Sequence, residues 1–171
     1  MSTIAITTLD QLLAYAHVLE QEAVERYQEL AEQMQVHHQP QLAELFQTMA
    51  RVEGQHVDRV EALADGRTLP RLAPWDYRWT DLESPERVPI GAEQYGMQPR
   101  QALELVLAGE ERAQAFFAAV AASCPDPVAR TLAAELAEEE QQHAVLLHDW
   151  LRRYPCAVED VPDLDEPLAQ D

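Results

Sequence analysis

The chain has 171 residues, 47% of them hydrophobic, and 31 acidic side chains against 12 basic ones, giving a formal charge of −19. That is one domain's length with enough apolar residues for a core. Every base is an arginine, and so acidic a chain argues against the phosphate contacts of nucleic-acid binding and against attraction to an anionic membrane, while it suits a soluble protein that repels its neighbours or one that collects cations. Cys124 and Cys156 are too few for a disulfide framework or a four-thiolate site. No apolar run is long enough to span a bilayer, and Met1 to Thr8 lacks a basic region followed by an apolar one. The expectation is a cytoplasmic protein.

With only 5 glycines and with the prolines clustered, long stretches are free of helix breakers. Thr7 or Thr8 can cap a first helix from about Leu9 to about Val36, with Asp10 in its first turn. After the turn His37-His38-Gln39, Pro40 opens a second helix that stops near Ala64, before Asp65-Gly66. Residues 67–98, with Pro70, Pro74, Pro85 and Pro89, form a long connection; its Trp75-Asp76-Tyr77-Arg78-Trp79 either covers the bundle or makes a dimer contact. A third helix runs from Pro99 to about Ser123. Asp126 caps a fourth, starting at Pro127 and halted near Tyr154 by Pro155. Residues 155–171 hold six acids and no base and are expected to be a flexible tail. The predicted fold is all-α: a four-helix bundle domain over residues 1–154, made of two antiparallel hairpins joined by the 67–98 crossover.

Each helix shows an apolar stripe spaced alternately three and four residues. The stripes read Leu13, Ala16, Glu20, Ala23, Tyr27, Leu30, Met34; Leu42, Phe46, Met49, Glu53, His56, Val60, Leu63; Leu103, Val106, Glu110, Ala113, Phe117, Val120; and Ala133, Leu136, Glu140, His143, Leu147, Trp150. Six of these positions are ionisable: Glu20, Glu53, His56, Glu110, Glu140 and His143. Glu20 lies 18 residues before the first turn, near residue 38, and Glu53 to His56 lie 15 to 18 after it. Glu110 lies 15 before the second turn, near Pro125, and Glu140 to His143 lie 15 to 18 after it. Equal rise per residue puts all six in one layer. Burying ionised carboxylates unpaired costs several kcal/mol each or forces them to neutralise, so four of them on core stripes imply cations; the bland alternative is an internally paired polar layer or one facing a groove. Two divalent ions would balance four carboxylates, and two neutral imidazoles would complete a shell suited to iron, manganese or zinc. Glu111, Glu138 and Glu139 read as a solvated face, or as replacements for Glu110 or Glu140 if the helix phase shifts by one. His17, His37, His38 and His148 read as surface or turn residues.

On these residues the chain resembles the ferritin-like superfamily, specifically its rubrerythrin and bacterioferritin branch, over roughly residues 8–154. The resemblance rests on Glu20 with Tyr27 seven later, Glu53-x-x-His56, Glu110 with Phe117 seven later, and Glu140-x-x-His143. It implies a di-iron site in which Glu53 and Glu140 bridge two irons, Glu20 and Glu110 bind one each, and each histidine binds one. Tyr27 is then either a core tyrosine or a phenol beside the metals, as hydrogen-bond donor or redox group, and Phe117 plain core. The four-Cys rubredoxin-like module of full rubrerythrins is missing, so electrons must come from Fe(II) itself or an external donor. Rubrerythrins tend to carry a further Glu where this chain has Ala113, which makes the set more like the symmetric bacterioferritin one. The position of bacterioferritin's haem Met is Gly54, so no haem is expected. An acidic, proline-containing tail stands where a cage-forming fifth helix would, which argues against a storage cage.

The function implied is oxidation of Fe(II), reduction of peroxide or oxygen, or both; a homodimer is expected as the commonest oligomer. Two other readings are a non-catalytic iron-handling protein and a structural bundle that holds zinc or no metal.

Overall fold

The computed structural model describes residues 6–72 and 97–155. The Trp75–Trp79 segment, Cys156 and the acidic tail lie outside them. The order is α1 (Leu9–Val36), α2 (Pro40–Ala64), α3 (Pro99–Ser123) and α4 (Pro127–Leu151). The molecule is an all-α four-helix bundle. α1 packs along α2 and α3 along α4, while the backbones of the two hairpins approach mainly through α1.

The helix ends follow from local chemistry. Thr8 accepts the Gln11 amide on its side chain, and Pro stands in the first turn of α2, α3 and α4, where a missing N–H costs nothing. Gly66 takes φ 71° after α2, a left-handed conformation natural to glycine. Asp126 serves two helices at once. One carboxylate oxygen accepts from Val128 N at 2.9 Å and Ala129 N at 3.3 Å, and the other accepts from Leu9 N at 2.9 Å. These bonds, led by that from Leu9, hold its pKa below the usual carboxylate range. They also tie the start of α1 to the second turn.

That tie fixes the topology. α2 and α3 run in the same direction, so the chain must return the length of the bundle between them. A helix of 25 residues is roughly 37 Å long, so the end of α2 and the start of α3 are about that far apart.

Two sequence expectations shift. α4 ends at Leu151 rather than Tyr154, because the Arg153 and Tyr154 amides bond only three residues back, to Trp150 and Leu151. Pro155 disfavours helical geometry in the residue before it, and its effect reaches back a turn. Leu63, placed on the α2 stripe, is 43% exposed; after Val60 the core contact passes to Ala64.

The core has two parts. One, toward the first turn, gathers Tyr27, Met34, Leu42, Phe46, Leu103 and Leu147. The other, toward the second turn, gathers Leu12, Leu19, Val60, Phe117, Leu132 and Leu136. By chain position, the six ionisable stripe residues fall between them.

Candidate metal centre

Each helix supplies one element of the layer: Glu20 from α1, Glu53 and His56 from α2, Glu110 from α3, and Glu140 and His143 from α4. In α2 and α4 the three-residue step from Glu to His puts carboxylate and imidazole on one face. The four glutamates are at most 4% exposed and His143 is also buried, whereas His56 is only partly so. The structure brings all six together: Glu53 with His56 and His143, Glu110 with Glu140 and His143, and Glu20 with Glu53 and Glu140 form sets whose donor atoms lie within 4.8 Å of one another.

Both imidazoles turn Nδ1 inward. His56 Nδ1 lies 3.4 Å from a Glu20 oxygen and 3.2 Å from Glu53 Oε2. His143 Nδ1 lies 3.0 Å from Glu53 Oε1, 3.2 Å from Glu110 Oε2 and 3.6 Å from Glu140. Glu53 therefore reaches one histidine with each of its oxygens. The two rings lie parallel, 5.4 Å apart. Tyr27 donates its hydroxyl hydrogen bond to Glu110 Oε1, whereas Phe117, its counterpart seven residues after Glu110, has no group to donate.

One nitrogen cannot satisfy three carboxylates. Both Glu53 oxygens, Glu20 Oε1 and His56 Nδ1 are buried without a hydrogen-bond partner; the short distances between Glu53 and the imidazoles are charge contacts that are not aligned as hydrogen bonds. The spacing fits a different use. Metal–ligand bonds of about 2.1 Å place neighbouring donors roughly 3.0 Å apart in an octahedron and about 3.4 Å in a tetrahedron. The observed 3.0–3.6 Å separations match the edges of such a shell, and the orphaned buried oxygens are what a cation would satisfy.

The electrostatics agree. Burial pushes Glu20 up to about 8. Burial, reinforced by the Glu110 charge, also raises Glu140. Burial would raise Glu53 too, but His143 and His56 outweigh it and hold the carboxyl down to about 2. Burial works against charging His56, yet Glu20 and Glu53 lift it to about 10; His143 is raised in the same way, against burial, by Glu110, Glu140 and Glu53. Without cations, protons must supply the positive charge of the layer.

The rubrerythrin family model matches residues 11–151. This chain belongs to the rubrerythrin family. A solved structure of an uncharacterized conserved protein from Magnetospirillum magnetotacticum MS-1 is similar at 37% identity and a TM-score of 0.76, covering 88% of this chain and 97% of that one. No curated protein matches the chain. The family and that structure support the ferritin-like bundle. Among the described residues, no helix of this rubrerythrin-family chain is long and apolar enough to cross a membrane.

One residue read from the sequence as a solvated face or a replacement ligand is instead a neighbour of the layer. Glu138 and Glu111 are exposed, as expected of a solvated face, but Glu139 is 30% exposed and its Oε2 is buried, 3.9 Å from His56 Nε2. Arg59 Nη1 donates to its other oxygen at 2.7 Å. The available signal was the pair of spacings His56 to Arg59 and Glu135 to Glu139, one helical turn each. His17 and His148 lie away from the layer, each beside a surface glutamate, Glu61 and Glu111.

Proposed function

We propose that this protein is a di-iron carboxylate protein that oxidises Fe(II), reduces peroxide or oxygen, or does both, with Glu20, Glu53, His56, Glu110, Glu140 and His143 as its ligands. The observation that carries this reading is the layer of four buried glutamates, in which Glu20 Oε1 and both Glu53 oxygens lack partners and the spacing to two inward-facing Nδ1 atoms suits a coordination shell. Membership of the rubrerythrin family supports iron over manganese or zinc.

Bound iron would supply the electrons and the position at which the oxidant binds. The chain's own residues would hold the two ions. Glu53, which faces both His56 and His143, and Glu140 on α4 would be the shared ligands. Glu20 beside His56 and Glu110 beside His143 would be the terminal ones. Tyr27 keeps its proton on the phenol oxygen and anchors Glu110. The flanking apolar clusters exclude water from both ends of the layer. Electrons come from Fe(II) or an external donor, and the protein works in the cytoplasm as a homodimer.

The test is anaerobic loading of the metal-stripped chain with Fe(II), followed by peroxide or oxygen. Fast oxidation with iron retained supports the enzyme. Slow oxidation with simple release favours iron handling without catalysis. Protein that takes up zinc alone, or no transition metal, is a structural bundle and refutes the proposal.

A further inference from the structure

The two Glu-x-x-His elements are related by an offset of 87 residues, which carries Glu53 onto Glu140 and His56 onto His143. Their surroundings do not repeat. On the His56 side, Arg59 spans α2 and α4. Its Nη1 donates to Glu139 Oε1 at 2.7 Å and its Nη2 donates to Glu135. With one oxygen held by that fork, the Glu139 carboxylate turns Oε2 inward. That atom is shielded from solvent, has no hydrogen-bond partner, and lies 3.9 Å from His56 Nε2. At this distance the contact is electrostatic rather than a hydrogen bond. The same offset puts Val52 at the place of Glu139, Leu146 at that of Arg59 and Thr48 at that of Glu135. None of the three carries charge.

We propose that Glu139 is a positioning residue for His56: fixed by Arg59, its carboxylate faces the outer imidazole nitrogen and sets the ring so that Nδ1 is offered to the metal on the Glu20 side. The two metal positions are therefore unequal, and the Glu20–His56 position is the tighter one. The physical reason is the tautomer. A neutral imidazole that binds metal through Nδ1 must carry its proton on Nε2, and a carboxylate facing Nε2 favours that form and that ring angle. Arg59 offsets the charge of Glu139, so the effect is one of orientation more than of added negative field. This inference rests on the di-metal reading above.

The test is an anaerobic titration of the metal-stripped full chain with Co(II), whose visible absorption reports each filled position. The native protein should bind in two resolved steps. E139Q, nearly the same shape without the charge, should weaken the tighter step by about 10- to 100-fold and leave the weaker step within about threefold. R59Q, which keeps the Glu139 charge but frees the carboxylate, should weaken the same step by a smaller factor. It serves as the deciding variant if E139Q does not fold. A general loosening of the bundle would weaken both steps alike; that result, or no change in either, overturns the role of Glu139. Two equal steps in the native protein overturn the inequality. A native protein that takes up no Co(II) brings down the di-metal reading itself and this inference with it.

Discussion

Removing metal and raising pH should destabilise this bundle. In the metal-free protein Glu20 is pushed up to about 8 and His56 to about 10, from ordinary values of 4.5 and 6.5. Both shifts are upward, so the folded state holds protons that the unfolded chain has given up. For Glu20 that difference operates between pH 4.5 and about 8, and for His56 between pH 6.5 and about 10. Each such proton costs about 1.4 kcal/mol of stability per pH unit as pH rises. Across the shared window, pH 6.5 to 8, the two together remove about 4 kcal/mol, and His143 shifts in the same direction. Glu53, held down to about 2, acts oppositely and only in acid, where its contribution is lost as pH falls below 4.5. Against a typical domain stability of about 5–15 kcal/mol, a loss of that size is large. Metal binding requires ionised carboxylates and neutral imidazoles, so it should displace these protons and tighten as pH rises. Urea unfolding of chelator-treated and Mn(II)-loaded protein at pH 6.5 and pH 8 measures the contrast, and an indicator dye in weak buffer counts the protons released. Metal-free stability that is unchanged or higher at pH 8, or loading that releases less than about one proton per chain, would refute the reasoning.

Three substitutions probe the layer and its surroundings. E140Q should abolish binding of the full metal complement, read by elemental analysis, while leaving the metal-free protein as stable as the native one or more so, by about 1–2 kcal/mol at pH 8, because it removes a buried acid that burial already disfavours. Y27F takes the hydroxyl donor from Glu110 and should cost about 1.5–3 kcal/mol in urea unfolding, with metal stoichiometry intact. G54A places a methyl group where a Cβ would meet nothing within 4 Å, in the middle of α2, and should raise stability by about 1 kcal/mol, seen as a higher Tm.

The helix starts were legible because their signals are local. Thr8, Pro40 and Asp126-Pro127 each act within a few residues, and each stands at the start it announces. Ends were harder: the reach of Pro155 back to Leu151 and the drift of the α2 stripe from Leu63 to Ala64 depend on how the last turn winds. That six ionisable residues would share one layer was legible because register along antiparallel helices follows from counting. What counting cannot give is lateral neighbourhood. The bond from Leu9 to Asp126 joins residues 117 apart, and the approach of Glu139 to His56 depends on how α4 lies against α2. Glu139 looks like part of a solvated face because its Oε1 does point to a surface arginine; only the position of its second oxygen marks it as different.

The charge of −19 takes on a different meaning once the layer is placed. Along each hairpin the helices adjoin closely, but the two hairpins meet mainly through side chains. At mid-height those side chains are the carboxylates and imidazoles, with apolar clusters above and below. A core built only for stability would fill this level with leucine-like side chains, since a well-packed apolar set is often as stable as a buried ionic one or more so. Keeping Glu20, Glu53, Glu110 and Glu140 instead leaves the junction between hairpins dependent on whatever positive charge enters it. Protons can supply that charge at low pH, and cations can supply it where protons are scarce. The fold and the proposed function thus share one requirement: the interface that joins the two halves of the bundle is complete only when the layer between them is neutralised.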